Sequence, residues 1–255
     1  MFRIVPDVPD VPGPLTSHLS PLTSHLCMAL DAKYLVKKTT NPPTLDALWD
    51  DSVWANAETV KITWAHSASA NAPRPVVQAK LQYDAENIYG IFKVDDVSVR
   101  ATHTVFNSDV CQDSCVEFFF RPGYDQGPYF NLEMSIGGTC LSSFIRDWTR
   151  VPTGFVDYTT LSAEDGARLG VRSTRPGVID PEEHRPQTWQ MRFQIPMAVL
   201  EKYWGAPLVL QSGTKWSANF YKCADKLEHP HWMAWQPLEP LNFHQPKFFG
   251  TIQFE

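Results

Sequence analysis

The chain has 255 residues and a formal net charge of −6, a balance that disfavours nucleic-acid binding because such surfaces need a basic stripe. No window approaches the roughly 18 uninterrupted apolar residues of a membrane helix, so no membrane span is predicted. The five cysteines have no regular spacing and match neither a disulfide framework nor a paired zinc pattern.

The N-terminal stretch, residues 1–33, is predicted to be a disordered leader or sequence upstream of the true start, with Met28 as an alternative start. A signal peptide needs a basic start and an apolar run of about 7–15 residues. Pro6 and Pro9, together with the aspartates that follow each of them, interrupt any such run. No signal peptide is therefore predicted.

Strict alternation of apolar and polar residues predicts strands with one buried face along most of the remaining chain. Residues 197–204, which follow a proline, predict a short helix, and residues 45–57 a helical turn. Residues 162–187 are polar and predict a long loop. The predicted strands are 76–83, 87–94, 115–122, 129–136, 188–196, 215–221 and 248–255.

Short strands separated by Pro- and Gly-rich turns predict an all-β fold. We expect a β-sandwich, jelly-roll or immunoglobulin-like, with one or two short helices. No linker divides the chain after the leader, so residues 34–255 are predicted to form one domain.

The strands 115–122 and 129–136 flank a Gly-bearing hairpin loop and sort their residues onto two faces. Pairing across this loop places Glu117, Asn131 and Glu133 on one outward face. The simpler interpretation is a solvated sheet face. The alternative is a site that binds the hydroxyl groups of a sugar. A sugar ring has polar edges, which hydrogen-bond to carboxylates and amides, and an apolar face, which packs on an aromatic side chain.

Residues 221–235 concentrate cysteine, histidine and tryptophan, but a metal site is not predicted. His229 and His231 are only two positions apart, closer than the usual zinc pair. Cys111 and Cys115 have no partner pair and are interpreted as small core residues.

Glu117 and Glu133 are also the type of residue that forms the carboxylate pair of a glycosidase. That mechanism needs a defined separation of the two carboxyl groups and a raised pKa for the acid, and the sequence shows neither. No nucleophile elbow, phosphate loop or dinucleotide fingerprint indicates another enzyme class. No catalytic residue is therefore predicted.

An ordered set of segments resembles family 9 carbohydrate-binding modules, which are found on xylanases and related proteins. The resemblance spans roughly residues 34–255 and favours the stand-alone branch of the family. It implies a β-sandwich with a sugar site on one side. The segments are "PPTLDALWDDSVWANA", "LQYDAENIYGIFKVDD", "DSCVEFFFRP", "YFNLEMSIGGT" and "NFYKCAD…HPHWMAWQPLEPLNFHQPKFFGTIQF".

The resemblance also implies site residues. Trp235 matches one of the two tryptophans that sandwich a sugar, and Glu117 matches the acidic ligand. The second tryptophan falls at Cys111, so Phe106, Tyr129 or Trp232 is left to supply that wall.

The family's basic and amide positions fall at Asn131 and Glu133, which leaves the basic residue missing. Arg100 or Lys222 is the expected substitute. His231 is expected beside Trp235 on a loop that follows the strand "NFYKC".

The predicted function is non-catalytic binding of an oligosaccharide or polysaccharide, of plant or bacterial type. The alternatives are a glycoside-processing enzyme related to xylanases, linked to carbohydrate catabolism, and a scaffold domain that has lost the sugar site. No cofactor is expected to be required, although the resemblance implies structural calcium in some members. Location stays open, because the sequence favours the cytoplasm whereas the resemblance favours export.

Overall fold

A computed structural model of the chain describes residues 33–123 and 127–255. These residues form a β-sandwich with two short α-helices, which confirms the predicted fold class. The predicted leader lies outside the described residues except for Lys33, where the first strand begins. The tip of the predicted hairpin loop, residues 124–126, also lies outside them.

The strands belong to two sheets, which β1 (Lys33–Lys38) joins by pairing with one strand of each. Sheet I contains β3 (Trp64–Ala65), β6 (Cys115–Arg121), β7 (Tyr129–Ser135), β8 (Cys140–Val151), β9 (Gly154–Thr160), β12 (Lys215–Ala224), β13 (His231–Ala234) and β14 (Gly250–Phe254). Sheet II contains β2 (Val60–Ile62), β4 (Val76–Tyr83), β5 (Asn87–Ala101), β10 (Arg172–Ser173) and β11 (Ile179–Pro196).

The main core lies between the inner faces of the two sheets. Phe118 of sheet I stacks on Phe193 of sheet II, with ring centroids 5.9 Å apart. Phe92 and Phe220 meet across the same gap at 6.1 Å. Successive strand residues point to opposite faces, so the alternation seen in the sequence puts one apolar face of each strand into this core.

The helix predicted at 197–204 is confirmed as α2 (Met197–Trp204), which ends at Gly205 in the left-handed conformation. The helical turn expected in 45–57 is a 3-10 turn at Ser52–Trp54. The loop predicted over 162–187 is wrong, because this segment contains α1 (Ala163–Arg168), β10 and the start of β11. That part of β11 is largely exposed and therefore polar, which hid it from pattern analysis.

Part of the outer face of sheet I is covered instead of solvated. Phe119, Tyr129 and Tyr221 point outward and are buried beneath a segment that includes Leu238 and Phe249. The expected loop after "NFYKC" is in fact a hairpin, because β13 pairs directly with β12. Among the described residues, neither helix has the length and apolar character needed to cross a membrane.

Candidate functional site

A cleft of about 930 Å³ opens on the outer face of sheet I. The strands β6, β7 and β12 form its floor, and the β8–β9 hairpin forms one wall. Residues 107–111, Trp232 and residues 241–244 border the remaining sides.

Three polar side chains predicted from the sequence lie together on the cleft floor. Glu117 and Glu133 are directly opposite each other in the antiparallel register of β6 and β7. Asn131 donates a hydrogen bond from Nδ2 to Glu133 Oε1 at 2.8 Å, and its Oδ1 accepts one from the Ser143 amide at 2.6 Å. These side chains line the cleft while exposing only 2–6% of their surface, so their positions are fixed by the sheet.

Burial changes the protonation of both carboxyl groups. It raises the pKa of Glu133 to about 7, although the hydrogen bond from Asn131 and the charge of Arg150 act in the opposite direction. Burial, and then the charge of Glu133, raise the pKa of Glu117 well above its ordinary value. Since a protonated carboxyl group donates and an ionised one accepts, the floor can offer both kinds of partner to hydroxyl groups.

Aromatic side chains form the walls of the cleft. Phe243 stacks on Tyr221 with ring centroids 4.1 Å apart and an interplanar angle of 11°. Phe155 packs between the guanidinium of Arg150, 4.2 Å from its ring, and the imidazole of His244, 4.6 Å away. Half-buried rings held in this way offer flat apolar faces beside the polar floor.

A third side of the cleft contains cysteines and Trp232. Trp232 donates from Nε1 to Asp225 Oδ1 at 2.7 Å, and Cys111 lies beside Asp225 on the cleft surface. Cys223 donates from Sγ to Glu117 Oε1 at 3.0 Å. Burial is the main cause that raises the pKa of all three groups, Cys111, Cys223 and Asp225.

Two sequence-predicted site residues, Lys222 and His231, lie inside the sandwich and away from the cleft. Lys222 is fully buried, with Nζ 2.8 Å from His231 Nε2 and 3.8 Å from Asp96 Oδ2. In β12, Lys222 follows the outward Tyr221, so the alternation of the strand directs it inward. His231 does not lie on the expected loop, because it is the first residue of β13.

Trp235 and Arg100 also lie outside the cleft lining. The Trp235 ring contacts Phe220 edge-on at 5.7 Å and packs against the main core. Arg100 is on β5 in sheet II, where its Nε lies 3.6 Å from Asp180 Oδ1. Of the rings expected to replace the second tryptophan, Trp232 borders the cleft, whereas Tyr129 is buried and Phe106 lines a different cavity.

One cation and two aromatic rings at the cleft were not predicted from the sequence. Arg150 supplies the positive charge that the motif positions lack, and Phe155 and Phe243 supply rings. The signal that could have found Arg150 and Phe155 is "RVPTGF", a turn sequence between two segments that carry aromatic residues.

The described residues give no support for structural calcium. Their one cluster of three possible metal-binding side chains consists of Cys115, Glu117 and Cys223, with ligand atoms within 4.8 Å of one another. Calcium takes six to eight oxygen ligands, so a set with two sulfurs does not fit it.

A β-sandwich that carries a polar cleft with aromatic walls on one sheet is the architecture of a carbohydrate-binding module. Residues 44–254 match the model of carbohydrate-binding family 9, and the chain belongs to that family. No curated protein matches the chain significantly.

Solved structures agree with this assignment. A Bacteroides uniformis protein with an inferred carbohydrate-binding function is 28% identical, with a TM-score of 0.74 over 88% of this chain and 99% of that one. A family 9 module from Caldicellulosiruptor kristjanssonii, in complex with cellotriose, is 16% identical with a TM-score of 0.55, over 88% of this chain and 94% of that one. The complex of a family 9 module from the same organism with glucose is 15% identical, with a TM-score of 0.55 over 88% of this chain and 96% of that one. At these identities the Caldicellulosiruptor structures support the fold alone.

Proposed function

We propose that the cleft on sheet I binds an oligosaccharide, or the end of a polysaccharide, without cleaving it. The observation that carries this proposal is the fixed pair Glu117 and Glu133 with Asn131, set on a rigid floor between aromatic walls. A sugar presents hydroxyl edges to such a floor and its apolar face to a ring. Phe243 or Trp232 is the proposed stacking platform, and Arg150 supplies the cation at the rim.

The proposed ligands are plant-type or bacterial oligosaccharides. The family assignment and the cellotriose and glucose complexes of the Caldicellulosiruptor module make gluco- and xylo-oligosaccharides the first candidates. One stacked ring and a few hydrogen bonds correspond to a Kd of about 1 μM to 1 mM, or about 8 to 4 kcal/mol.

Calorimetric titration of the full chain with glucose, cello-oligosaccharides and xylo-oligosaccharides, with and without calcium, tests the proposal. Glu133→Gln is expected to weaken binding by about 10- to 100-fold, since a hydrogen bond to a charged group contributes about 1.5–3 kcal/mol. The matched control is Glu183→Gln, which removes a carboxylate paired with Arg175 away from the cleft. Folded protein that binds none of these sugars would contradict the proposal and favour a scaffold role.

A second candidate function is glycoside hydrolysis, favoured by the opposed Glu117 and Glu133 and by the raised pKa of each. A general acid needs such a raised pKa. Release of reducing sugar from xylo-oligosaccharides that disappears in Glu133→Gln would establish hydrolysis. Binding without any such release would leave the module non-catalytic.

A further inference from the structure

The cleft floor holds two cysteines beside Glu117 that the proposed sugar recognition does not use. Cys115 and Cys223 are opposite each other in the register of β6 and β12, and Glu117 follows two residues along β6 on the same face. The Sγ atoms and a Glu117 oxygen lie within 4.8 Å of one another. Strand pairing brings the two cysteines together although they are far apart in the sequence, so spacing rules for zinc sites do not detect them.

Burial makes Glu117 difficult to explain as a packing residue. Cys115 and Cys223 alone fit the small apolar cluster that they form with Val110. Glu117, however, places a carboxyl group among them with 2% of its surface exposed, and its Oε2 has no hydrogen-bond partner among the described residues. An unsatisfied polar atom at this depth is costly unless a ligand engages it.

We propose that Cys115, Glu117 and Cys223 bind one soft divalent cation of the zinc type. Thiolate and carboxylate ligands are those that zinc takes in proteins, and three protein ligands leave one position open. Zinc–sulfur bonds of about 2.3 Å and zinc–oxygen bonds of about 2.0–2.2 Å let one ion reach all three side chains after small adjustments.

The surroundings of the cluster fit this assignment. Cys223 and Glu117 line the cleft, so an ion enters from it and the open position faces it. Each thiol releases its proton on binding, because the thiolate is the ligand. The assignment uses one residue of the proposed sugar site but does not depend on sugar binding.

Titration of the metal-free, reduced full chain with Co²⁺, followed by Zn²⁺ competition against a chromophoric chelator, tests this site. We expect one equivalent of Co²⁺ to produce a thiolate-to-cobalt charge-transfer band that Zn²⁺ abolishes. Cys115→Ser and Cys223→Ser are each expected to weaken Zn²⁺ binding by more than about 100-fold. Loss of a residue that only supports a metal ligand already weakens binding by roughly 10- to 100-fold, and these variants remove a ligand itself. Glu117→Gln is expected to weaken binding while the charge-transfer band remains.

The matched control is Cys140→Ser, which changes another buried cysteine that belongs to the main core between the sheets. It is expected to bind the metal as the parent does. Absence of the charge-transfer band in the parent overturns the proposal by itself, whether or not the variants fold. Each cysteine variant keeps one thiolate, so a weaker band is expected in it; a band of parental intensity and Co²⁺ affinity in both folded Cys115→Ser and Cys223→Ser, or loss of the band in Cys140→Ser, overturns the proposal too. Because these measurements contain no sugar, their failure leaves the proposed carbohydrate binding untouched.

Discussion

Asn131 holds Glu133 in place by donating a hydrogen bond of 2.8 Å from Nδ2 to Glu133 Oε1, and the Oδ1 of Asn131 accepts a hydrogen bond from the Ser143 backbone amide. One amide therefore orients a carboxyl group of the cleft floor and ties β7 to β8. A binding site selects among hydroxyl groups only when its partners are fixed in advance, because ordering them on binding costs free energy.

Replacing Asn131 with leucine tests this orientation. We expect Asn131→Leu to weaken sugar binding by about tenfold and to lower the free energy of unfolding by about 1–3 kcal/mol, because the buried Ser143 amide loses its partner. Calorimetry and chemical denaturation measure the two effects. Asn87→Leu is the control, since Asn87 bonds Tyr89 and Gln194 away from the cleft and should affect stability alone. Unchanged sugar affinity in Asn131→Leu would contradict the orienting role.

The two neighbouring tryptophans are expected to have different roles. Trp232→Ala should weaken sugar binding by about tenfold, because a flat wall of the cleft is lost. Trp235→Ala should leave the affinity unchanged but lower the free energy of unfolding by about 3 kcal/mol, because its ring packs on the core. Denaturation and calorimetry on both variants distinguish the roles. Loss of sugar binding in folded Trp235→Ala would instead support the assignment made from the sequence.

Alternation in the sequence predicted many of the strands that have a buried face, although β1 and β8 were missed. The pattern at 76–83 matches β4 and that at 129–136 matches β7, because an apolar face packs into the core of the sandwich. It failed for β9 and the first half of β11, whose side chains are mostly exposed. Where neither face is covered, burial imposes no pattern on the sequence.

The same reasoning explains which cleft residues were predictable. The shared face of Glu117, Asn131 and Glu133 was predictable, because side chains alternate between faces along two strands joined by a short loop. Alternation also places Trp232 and Trp235 on opposite faces, because residues an odd number of positions apart in extended chain point to opposite sides. Phe243 could not be placed in this way, since it lies on a loop whose path depends on tertiary packing.

The inward ammonium of Lys222 predicts a stability effect without a binding effect. Lys222→Met should lower the free energy of unfolding by about 3 kcal/mol, because it leaves Asp96 buried without its cation. Adding Asp96→Asn should recover part of this loss. Chemical denaturation measures both changes, and sugar affinity should stay at the parental value. A drop in affinity in folded Lys222→Met would show that this side chain acts at the cleft.

Two buried histidines should make the protein sensitive to mild acid. Burial, and then the charge of Arg150, lower the pKa of His244 from 6.5 to about 3, and burial with the charge of Lys222 lowers that of His231 similarly. The unfolded chain takes up these protons below pH 6.5, whereas the folded protein does not. Each histidine therefore contributes stability above pH 6.5 that is lost as the pH falls toward 3, at up to about 1.4 kcal/mol per pH unit.

Denaturation across about pH 4–7 checks this slope in His244→Gln against the parent. Glu133 acts with the opposite sign, since a pKa raised to about 7 contributes stability below its unfolded value of 4.5 that is lost as the pH rises toward 7. Because Glu133 Oε1 lies 4.0 Å from His244 Nε2, the comparison is made in a Glu133→Gln background, where the difference between the two slopes isolates His244 and should show a flatter curve for the His244→Gln variant. Equal slopes for His244→Gln and the parent would contradict the lowered pKa of His244.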